Sequence, residues 1–382
     1  MGSYLVLGAR APAALEICRG LARGGHRVIT ADSMAFPLAR FSAATSAYRR
    51  LPPATCGAGY GRALADLVTD LGIDWIVPTC EEVFHVARWR HMIPAGCNVL
   101  ADGLDKLGAF HDKFAFTHAA RDCGIGIPAT ACLRTCADLA AHAPESYPGG
   151  VVYKRCFSRF AEGTIVRPRP DQLRGMAISP DEPWVAQEFV GGVEVCSYSV
   201  AVSGKIVAGA CYRPAYRAGR GAGIYFEPVR DDRLEDFVEQ FVRKHSFTGQ
   251  IGFDFIVDPE RGPFVIECNP RATSGVHLLP ASLDWGGLLD GLADADPWRM
   301  EGAAMVGMAM SIYGAGDLLR RPRTWLRDFV AARDVIWSRG DRIPALGQAV
   351  TAAETLLRAA AAGLSPLAAT TADIKWDGEP GA

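Results

Sequence analysis

The stretch Gly249–Leu279 constrains the fold most, because its pattern indicates a β-hairpin with acidic residues on one face. Two short apolar runs, Ile251–Val257 and Phe264–Cys268, are separated by Pro-Glu-Arg-Gly, which supplies turn chemistry. Pairing of Asp258 with Pro263 across this loop sets the register. One face of the hairpin then holds only apolar side chains and a thiol, in the pairs Val257–Phe264, Phe255–Ile266 and Phe253–Cys268.

The opposite face of the hairpin carries the acids, in the pairs Ile256–Val265, Asp254–Glu267 and Gly252–Asn269. Two carboxylates opposed at ~5 Å repel by about 3 kcal/mol at an effective dielectric of ~20. A cation between them would reverse that sign, and Asn269 adds a neutral oxygen. Oxygen ligands without Cys or His suit Mg²⁺. The alternative is a polar face whose charges discourage edge pairing, although the acids face each other and Arg271 follows at once.

Composition limits the classes of protein to which the chain can belong. Its 382 residues allow two or three domains, and 49% hydrophobic with 21% charged residues is ordinary for a globular protein. A net charge of −2 argues against a nucleic-acid partner. The eleven Cys are odd in number and widely spread, which predicts reduced thiols in a cytoplasmic protein. Neither a membrane-spanning run nor a secretory signal is expected.

A strand–helix–strand unit opens the chain and predicts a parallel sheet. Ligand sites in such sheets lie beyond the carboxyl ends of strands, which makes Arg10, Asp32, Glu81 and Glu82 candidates. The alternatives are a strand-end cap for Asp32 and the first turn of a helix for the two glutamates. The turn at Gly8 lacks the later glycines of GxGxxG, which argues against NAD. The predicted elements are Tyr4–Leu7, Ala13–Arg23, Arg27–Ala31, Tyr60–Leu71 and Asp74–Val77.

Two lysines and a basic segment mark the middle of the chain. Lys113 opens a helix, where it opposes the dipole, and Lys154 ends a strand; solvation and an exposed sheet edge are the simpler interpretations. Arg213–Gly223, rich in Arg and Gly, is predicted to be a flexible loop that closes over phosphate or a carboxylate, or else a plain surface loop. Other predictions are a linker at Leu100–Gly108, a strand or buried segment at Met305–Tyr313, helices at Leu318–Arg333 and Gln348–Ala362, and a strand at Ile374–Trp376.

The order of these features resembles the ATP-grasp superfamily, most closely its carbamoyl-phosphate-synthase-like and biotin-carboxylase-like branch. From about Tyr4 to about His277, the two lysines, a Gln-Glu-Phe-Val hinge and an acid–Asn–Pro–Arg run follow in the family's order. The resemblance implies an α/β and α+β fold. It divides into a pre-ATP-grasp, Rossmann-like βαβ domain at 1–105, a two-lobed ATP-grasp domain at 106–300, and a small α-rich C-terminal segment at 301–382 that completes the fold.

The resemblance also implies which residues would hold ATP. Lys113 and Lys154 would meet the phosphates, and Ser158 and Arg159 would supply side-chain donors in a loop with few glycines. Glu188 would lie near the adenine amino group and the hinge backbone would read the ring edge. The residues implied to hold adenine and ribose are Gln187, Glu188, Phe189, Val190 and Glu194.

Further roles follow for the metal and the substrates. Asp254, Glu267 and Asn269 would hold one or two Mg²⁺, with Mn²⁺ as an alternative ion, and Arg271 would neutralise the transferring phosphoryl group. His277 and Arg213 could orient a carboxylate substrate. The acids expected near the amine substrate are Glu81 and Glu82, of which Glu82 could bind it directly.

The implied activity is ADP-forming ligation of a small carboxylate to an amine through an acyl phosphate. One alternative is carboxyphosphate or carbamoyl phosphate chemistry that uses bicarbonate, and another is a non-catalytic ATP-binding module. The expected partners are small molecules, with no nucleic acid and no membrane. Relatives are often dimers, so a homodimer is also an expectation.

Overall fold

The computed structural model describes residues 1–159, 163–219, 221–292 and 295–378. These residues form one parallel sheet, two further sheets with antiparallel pairing, and helices packed on them. The predicted mixture of α/β and α+β structure is therefore confirmed. No helix of the described residues is both long and apolar enough to cross a membrane.

The first sheet is parallel and has the order β3-β2-β1-β4-β5, as a strand–helix–strand start predicts. Its central strand is buried throughout, and α1 begins with a proline, which suits a helix start. The strands are β1 Ser3–Leu7, β2 Arg27–Asp32, β3 Ala47–Arg50, β4 Trp75–Val77 and β5 Asn98–Val99. The helices are α1 Pro12–Arg23, α2 Ala58–Leu71 and α3 Glu82–Arg88.

The next region forms a small four-stranded sheet with the order β6-β9-β7-β8. The predicted linker at Leu100–Gly108 is wrong, because its second half is helical and packs through buried Leu107. Asp112 caps the following helix by accepting two backbone N–H bonds. The elements are α4 Leu104–His111, α5 Lys113–Ala119, β6 Thr130–Leu133, α6 Cys136–Ala141, β7 Val151–Arg155, β8 Ile165–Val166, α7 Pro170–Arg174 and β9 Trp184–Glu188.

A seven-stranded sheet forms the large lobe, with the order β14-β13-β10-β11-β12-β15-β16. Its elements are β10 Val193–Val202, β11 Lys205–Ala218, β12 Ala222–Val229, α8 Asp232–Lys244, β13 Gly249–Asp258, β14 Gly262–Asn269, α9 Trp285–Leu289, β15 Ala304–Met305 and β16 Arg333–Asp334. The prediction of a flexible loop at Arg213–Gly223 is wrong for most of that stretch, which is the end of a long hairpin between β11 and β12. Arg220 lies outside the described residues.

The hairpin of β13 and β14 matches its predicted register only at the acidic end. Asp254 lies opposite Glu267 and Gly252 opposite Asn269, as predicted. A β-bulge at Ile266 then shifts the register by one residue. The predicted pairs Val257–Phe264, Phe255–Ile266 and Ile256–Val265 are therefore wrong.

The C-terminal region is mainly helical and packs back on the first domain. The helices are α10 Gly307–Tyr313, α11 Ala315–Arg320, α12 Pro322–Ala331, α13 Ile343–Ala362 and α14 Pro366–Ala369. Met305–Tyr313 is thus a helix after its first residues, and Ile374–Trp376 is not a strand. The predicted domain limits stay predictions, although the large sheet continues past residue 300 because β15 pairs with β12.

A buried ion-pair network holds this region to the first sheet. Arg10 Nη2 lies 2.5 Å from Asp32 Oδ1, and Arg10 Nη1 lies 2.7 Å from Asp373 Oδ1. Arg358 adds a second cation at 3.1 Å from Asp373 Oδ2. Further along, the Trp376 ring stacks on Phe84 at 4.6 Å between centroids. The carboxyl edge of the first sheet is therefore covered by the chain's own C-terminal region.

Candidate active site

A cleft of about 360 Å³ lies between the small sheet and the large sheet. It receives the ends of β7 and β9 from one side and the hairpin of β13 and β14 from the other. Most of the residues predicted to bind nucleotide or metal meet here. The predicted residues that line it are Lys154, Gln187, Glu188, Phe189, Val190, Glu194, Asp254, Glu267, Asn269 and Arg271.

The facing carboxylates of Asp254 and Glu267 dominate the charge of the cleft. Burial, followed by the charge of Glu267, raises the pKa of Asp254. The Asn269 amide donates to Asp254 Oδ2 at 3.2 Å, and its oxygen accepts from Arg271 at 3.1 Å. Among the described residues, no three Cys, His, Asp or Glu side chains cluster as metal ligands. The two facing carboxylates and the amide oxygen nonetheless fit Mg²⁺, which prefers a few carboxylate oxygens as protein ligands.

Both predicted lysines lie beside these acids. Lys113, at the start of α5, is buried, and its Nζ lies 3.5 Å from Glu267 Oε1 and 3.1 Å from the Ser158 carbonyl oxygen. Lys154 donates to Gln187 Oε1 at 3.0 Å. Burial lowers the pKa of Lys154, while the charge of Glu267 acts in the opposite direction. The two cations therefore lie at the end of the cleft that holds Glu267.

The hinge after β9 forms a second wall of the cleft. Glu188 is held by Arg261 at 2.7 Å, and the backbone N–H of Phe189 donates to Gly150 at 2.9 Å. The Phe189 N–H is thus occupied and could not read a ring edge, which leaves its carbonyl and Val190. Arg167 lies 4.1 Å above the Phe189 ring.

The bulge of β14 brings an apolar residue to the cleft that the register prediction placed on the opposite face. Ile266 lines the cleft together with Ile256 and Val152, next to Glu267. Without the bulge, adjacent residues of a strand would point to opposite faces. The cleft therefore has apolar walls beside its charged end.

A second cavity of about 360 Å³ adjoins the cleft. The two cavities share Glu194, Arg217, Asp254, Arg271 and Thr273 in their linings. The second cavity extends toward the first domain, and sequence reasoning did not identify most of its walls, which are ordinary polar and aromatic residues. The walls that it missed include Thr79, Cys80, Cys196, Tyr212 and Ser274, whereas His277, which also lines this cavity, was among the predicted residues.

His277 is oriented by a carboxylate from the first domain. Its Nδ1 lies 3.2 Å from Glu16 Oε2, and Arg333 holds the same oxygen at 3.1 Å. Burial alone would raise the pKa of Glu16, but the hydrogen bond from His277 and the charge of Arg333 lower it. The ring stacks on Phe226 at 5.8 Å. Because Nδ1 faces an ionised Glu16, Nε2 is the ring nitrogen left for the cavity.

Arg213 does not line either cavity, so the structure does not bring it to the place where a substrate contact was predicted. It pairs with Glu227 at 2.5 Å on the neighbouring strand and is exposed. Arg217 takes the expected place, since it lines both cavities and pairs with Glu194 at 2.5 Å. Irregular pairing between Pro214 and Arg217 breaks the alternation that would place both arginines on one face.

Arg159 and Glu81 bind each other instead of ligands. Arg159 Nη2 lies 2.5 Å from Glu81 Oε2 and its Nε donates to Oε1 at 2.7 Å, and both side chains are buried. Glu81 borders the second cavity, but both of its oxygens have a partner. Ser158 lines a separate cavity between the small sheet and the C-terminal region. Arg159 and Ser158 are therefore not brought to the cleft as predicted.

Glu82 is also turned away from the second cavity. Its Oε1 accepts the backbone N–H groups of Thr79 at 2.8 Å and Cys80 at 3.0 Å. Burial raises the pKa of Glu82 despite these bonds. The side chain borders a small void near Tyr60 and is absent from the lining of the second cavity, so direct binding of an amine by Glu82 is not supported.

Comparison with protein families identifies the domain around the cleft. The family model for the ATP-grasp domain matches residues 110–275. These residues form an ATP-grasp domain, and the resemblance inferred from the sequence is confirmed. No curated protein matches the sequence significantly.

Solved structures share the wider fold. The biotin carboxylase domain dimer of Hydrogenobacter thermophilus 2-oxoglutarate carboxylase, in complex with MgADP, ADP and bicarbonate, is 11% identical, with a TM-score of 0.63 over 79% of this chain and 73% of that one. Staphylococcus aureus N5-carboxyaminoimidazole synthetase with ADP is 12% identical, with a TM-score of 0.62 over 84% and 86%. Campylobacter jejuni biotin carboxylase is 16% identical, with a TM-score of 0.62 over 79% and 74%. At such identities the likeness establishes the fold alone.

Proposed function

We propose that this protein is an ATP- and Mg²⁺-dependent ligase that joins a carboxylate to an amine and releases ADP and phosphate. The observation that carries the proposal is the pair of connected cavities. One is lined by the hinge, Lys154 and the facing acids, and the other shares Asp254 and Arg271 with it. Two connected sites are what transfer between a nucleotide and a second substrate requires.

The nucleotide would occupy the first cavity. Its adenine would lie between the apolar walls at Ile256 and Ile266 and the hinge, and its phosphates toward Lys154 and Lys113. Glu194 would hold the ribose after release from Arg217. Mg²⁺ held by the facing acids and Asn269 would neutralise the phosphate oxygens.

The reaction activates a carboxylate, which is otherwise a poor acyl donor. A carboxylate oxygen attacks the γ-phosphorus, the bond to ADP breaks, and an acyl phosphate forms. The amine then attacks the carbonyl carbon, and the bond to phosphate breaks. Lys154 and Arg271 would stabilise the negative charge in both steps, so no protein nucleophile is needed.

The amine must lose a proton when the amide forms. His277 is suited to accept it, because Glu16 fixes its ring and leaves Nε2 for the cavity. Arg217 is suited to orient the carboxylate, in the place expected of Arg213. A cytoplasmic location and a homodimer belong to the same proposal; the eleven free cysteines favour the former.

The second candidate uses bicarbonate in place of an organic acid. The Hydrogenobacter domain, solved with bicarbonate, favours it. A non-catalytic module is disfavoured, because paired acids and a buried lysine are costly to keep without a ligand.

Release of ADP from ATP and Mg²⁺ tests the proposal across amino acids, small organic acids and bicarbonate, each with and without an amine. Turnover that requires a particular acid and amine would support the ligase. Turnover with bicarbonate as the only acid would establish the second candidate. Binding of ATP without turnover across the panel would favour the non-catalytic module, and failure to bind ATP would contradict all three.

A further inference from the structure

The long C-terminal helix α13 is amphipathic, but it is the apolar side that faces the solvent. Its polar side chains face the body of the protein. Glu354 accepts the backbone N–H groups of Ala35 and Phe36, both at 2.7 Å, and Arg358 donates to the Ser33 carbonyl oxygen at 2.8 Å. Gly347 lies against the ring of Phe41. The helix is thus anchored by its polar side.

The outward side of α13 consists entirely of Ile, Leu, Val and Ala. Leu346 is 78% exposed and Leu357 is 73% exposed. Exposed residues recur along the helix and its end at alternating spacings of three and four, which is the heptad seam of a helix that packs on another helix. This seam consists of Ile343, Leu346, Val350, Ala353, Leu357, Ala360 and Leu364.

The size and composition of the seam fit a protein–protein contact. With Leu356 and Leu367, its large side chains expose on the order of 700 Å² of surface, close to the ~800 Å² that each partner buries in a standard interface. An uncharged patch of this size is a mark of interaction sites. An interfacial membrane helix would instead show Lys and Arg on an exposed polar face. Here the exposed part of the helix carries no charge.

The spacing of large and small residues makes the seam complementary to itself. In an antiparallel pair, Ile343 would face Ala360, Val350 would face Ala353 and Leu346 would face Leu357 of the second copy. Ile343 and Val350 then oppose alanines, and each leucine opposes the other leucine, so no layer holds two alanines. A parallel pair would place alanine on alanine twice and leave gaps.

We propose that α13 is the contact surface of a homodimer in which two copies of this helix pack antiparallel across a two-fold axis. An isologous contact of this kind closes with two subunits. The inference rests on the homodimer in the proposed function and not on ligase activity. It is therefore tested by mass in solution, independently of turnover.

Light scattering during size exclusion, with the full chain at low micromolar concentration, provides the test. The wild type should have the mass of a dimer. Leu346→Glu/Leu357→Glu should be monomeric, because like charges meet across the axis. Leu346→Glu/Leu357→Lys should remain dimeric, because opposite charges meet there. The matched control Leu319→Glu/Val330→Glu, on α11 and α12, should remain dimeric.

Circular dichroism should be unchanged in every variant, since the substituted side chains are exposed on the monomer. Only the monomeric variant should show a lower melting temperature that no longer depends on protein concentration. A monomeric wild type, including one that sediments with lipid vesicles, would overturn the proposal. So would a dimer that persists with two glutamates. A monomer for both charged pairs would overturn the antiparallel arrangement.

Discussion

The acids at the edge of the first sheet and the acids in the cleft differ in what their charges meet. Asp32 is paired with Arg10, and Glu81 is paired with Arg159, each at 2.5 Å. In the cleft, Asp254 and Glu267 face each other, and the cation nearest to Glu267 is 3.5 Å away. An acid with a close buried partner is costly to unpair, whereas two acids that face each other at a cavity can bind a cationic ligand.

This contrast shows that the position of an acid in the fold does not by itself identify a ligand site. Strand ends of the first sheet are where a ligand site is expected, yet Arg10, Asp32 and Asp373 satisfy one another there. Buried charges stripped of a partner cost several kcal/mol, so such a network resists change. Substitutions in the two regions should therefore separate loss of stability from loss of activity.

The largest effect should come from Glu267→Gln. We expect turnover to fall on the order of 10³-fold, because the substitution removes a ligand charge at the reacting phosphates. The fold should be retained, and the melting temperature without Mg²⁺ should change little, because relief of the repulsion with Asp254 offsets the lost contact with Lys113. ADP release and thermal unfolding measure the two outcomes. A variant that loses stability instead would place Glu267 with the structural acids.

Asp373→Asn should have the opposite profile. It leaves Arg10 and Arg358 without a shared carboxylate, so the free energy of unfolding should fall by about 3 kcal/mol. Turnover per folded molecule should stay near the wild-type value. Denaturant unfolding and ADP release at low temperature provide the measurements, and Glu260→Gln, at an exposed turn, is a neutral control.

Asp373 should also make the free energy of unfolding depend on pH in the acidic range. Burial would raise the pKa of Asp373, but Arg10, Ser33 and Arg358 lower it to about 2. Because the folded-state pKa lies below the unfolded value, the stabilisation is present above pH ~4 and is lost between pH ~4 and ~2. It amounts to about 2 kcal/mol, and Asp373→Asn should remove that part of the slope.

Arg217→Ala and Arg213→Ala compare two arginines of the strand β11, of which one lines the cavities and the other is exposed. We expect Arg217→Ala to raise the KM of the carboxylate or of ATP roughly tenfold, since Arg217 lines both cavities. Arg213→Ala should change neither, because its partner Glu227 is exposed and such surface pairs contribute little. Equal effects from the two substitutions would contradict the assignment.

The smallest effect concerns pH and Mg²⁺. Because the pKa of Asp254 is raised, its contribution to stability in the absence of metal is lost as pH rises through that pKa. Mg²⁺ competes with this proton, so its thermal stabilisation should increase from pH 5 to pH 8. Asp254→Asn should abolish the increase. A Mg²⁺ shift that is independent of pH would argue against Asp254 as a ligand.

Sequence alone predicted the part of the site that depends on local alternation. The opposition of Asp254 and Glu267 follows from strand period and turn length. The bulge at Ile266 could not be predicted, because one extra residue leaves no mark in the pattern. Irregular strand pairing also explains why Arg217 lines the cavities in the place that was predicted for Arg213.

Contacts between distant parts of the chain also could not be predicted from the sequence. Glu81 and Arg159 are 78 positions apart, and neither carries a local sign of its partner. The order of the motifs predicted that Glu81 and Arg159 lie near the site. Their contact with each other depends on tertiary packing, which the motifs do not show. The amphipathic pattern of α13 can be recognised in its sequence, but the sequence does not show which side of the helix faces the protein.

The pairing of Arg10 with Asp373 spans 363 positions. Arg10 therefore leaves the ribosome long before its partner carboxylate has been made. The first sheet can form early from nearby strands, and Asp32 then gives the Arg10 guanidinium its first counter-ion, but the second carboxylate, Asp373, is made much later. Completion of this ion-pair network thus waits for a residue 363 positions away, and we expect a chain truncated before Asp373 to be degraded more readily than the full chain.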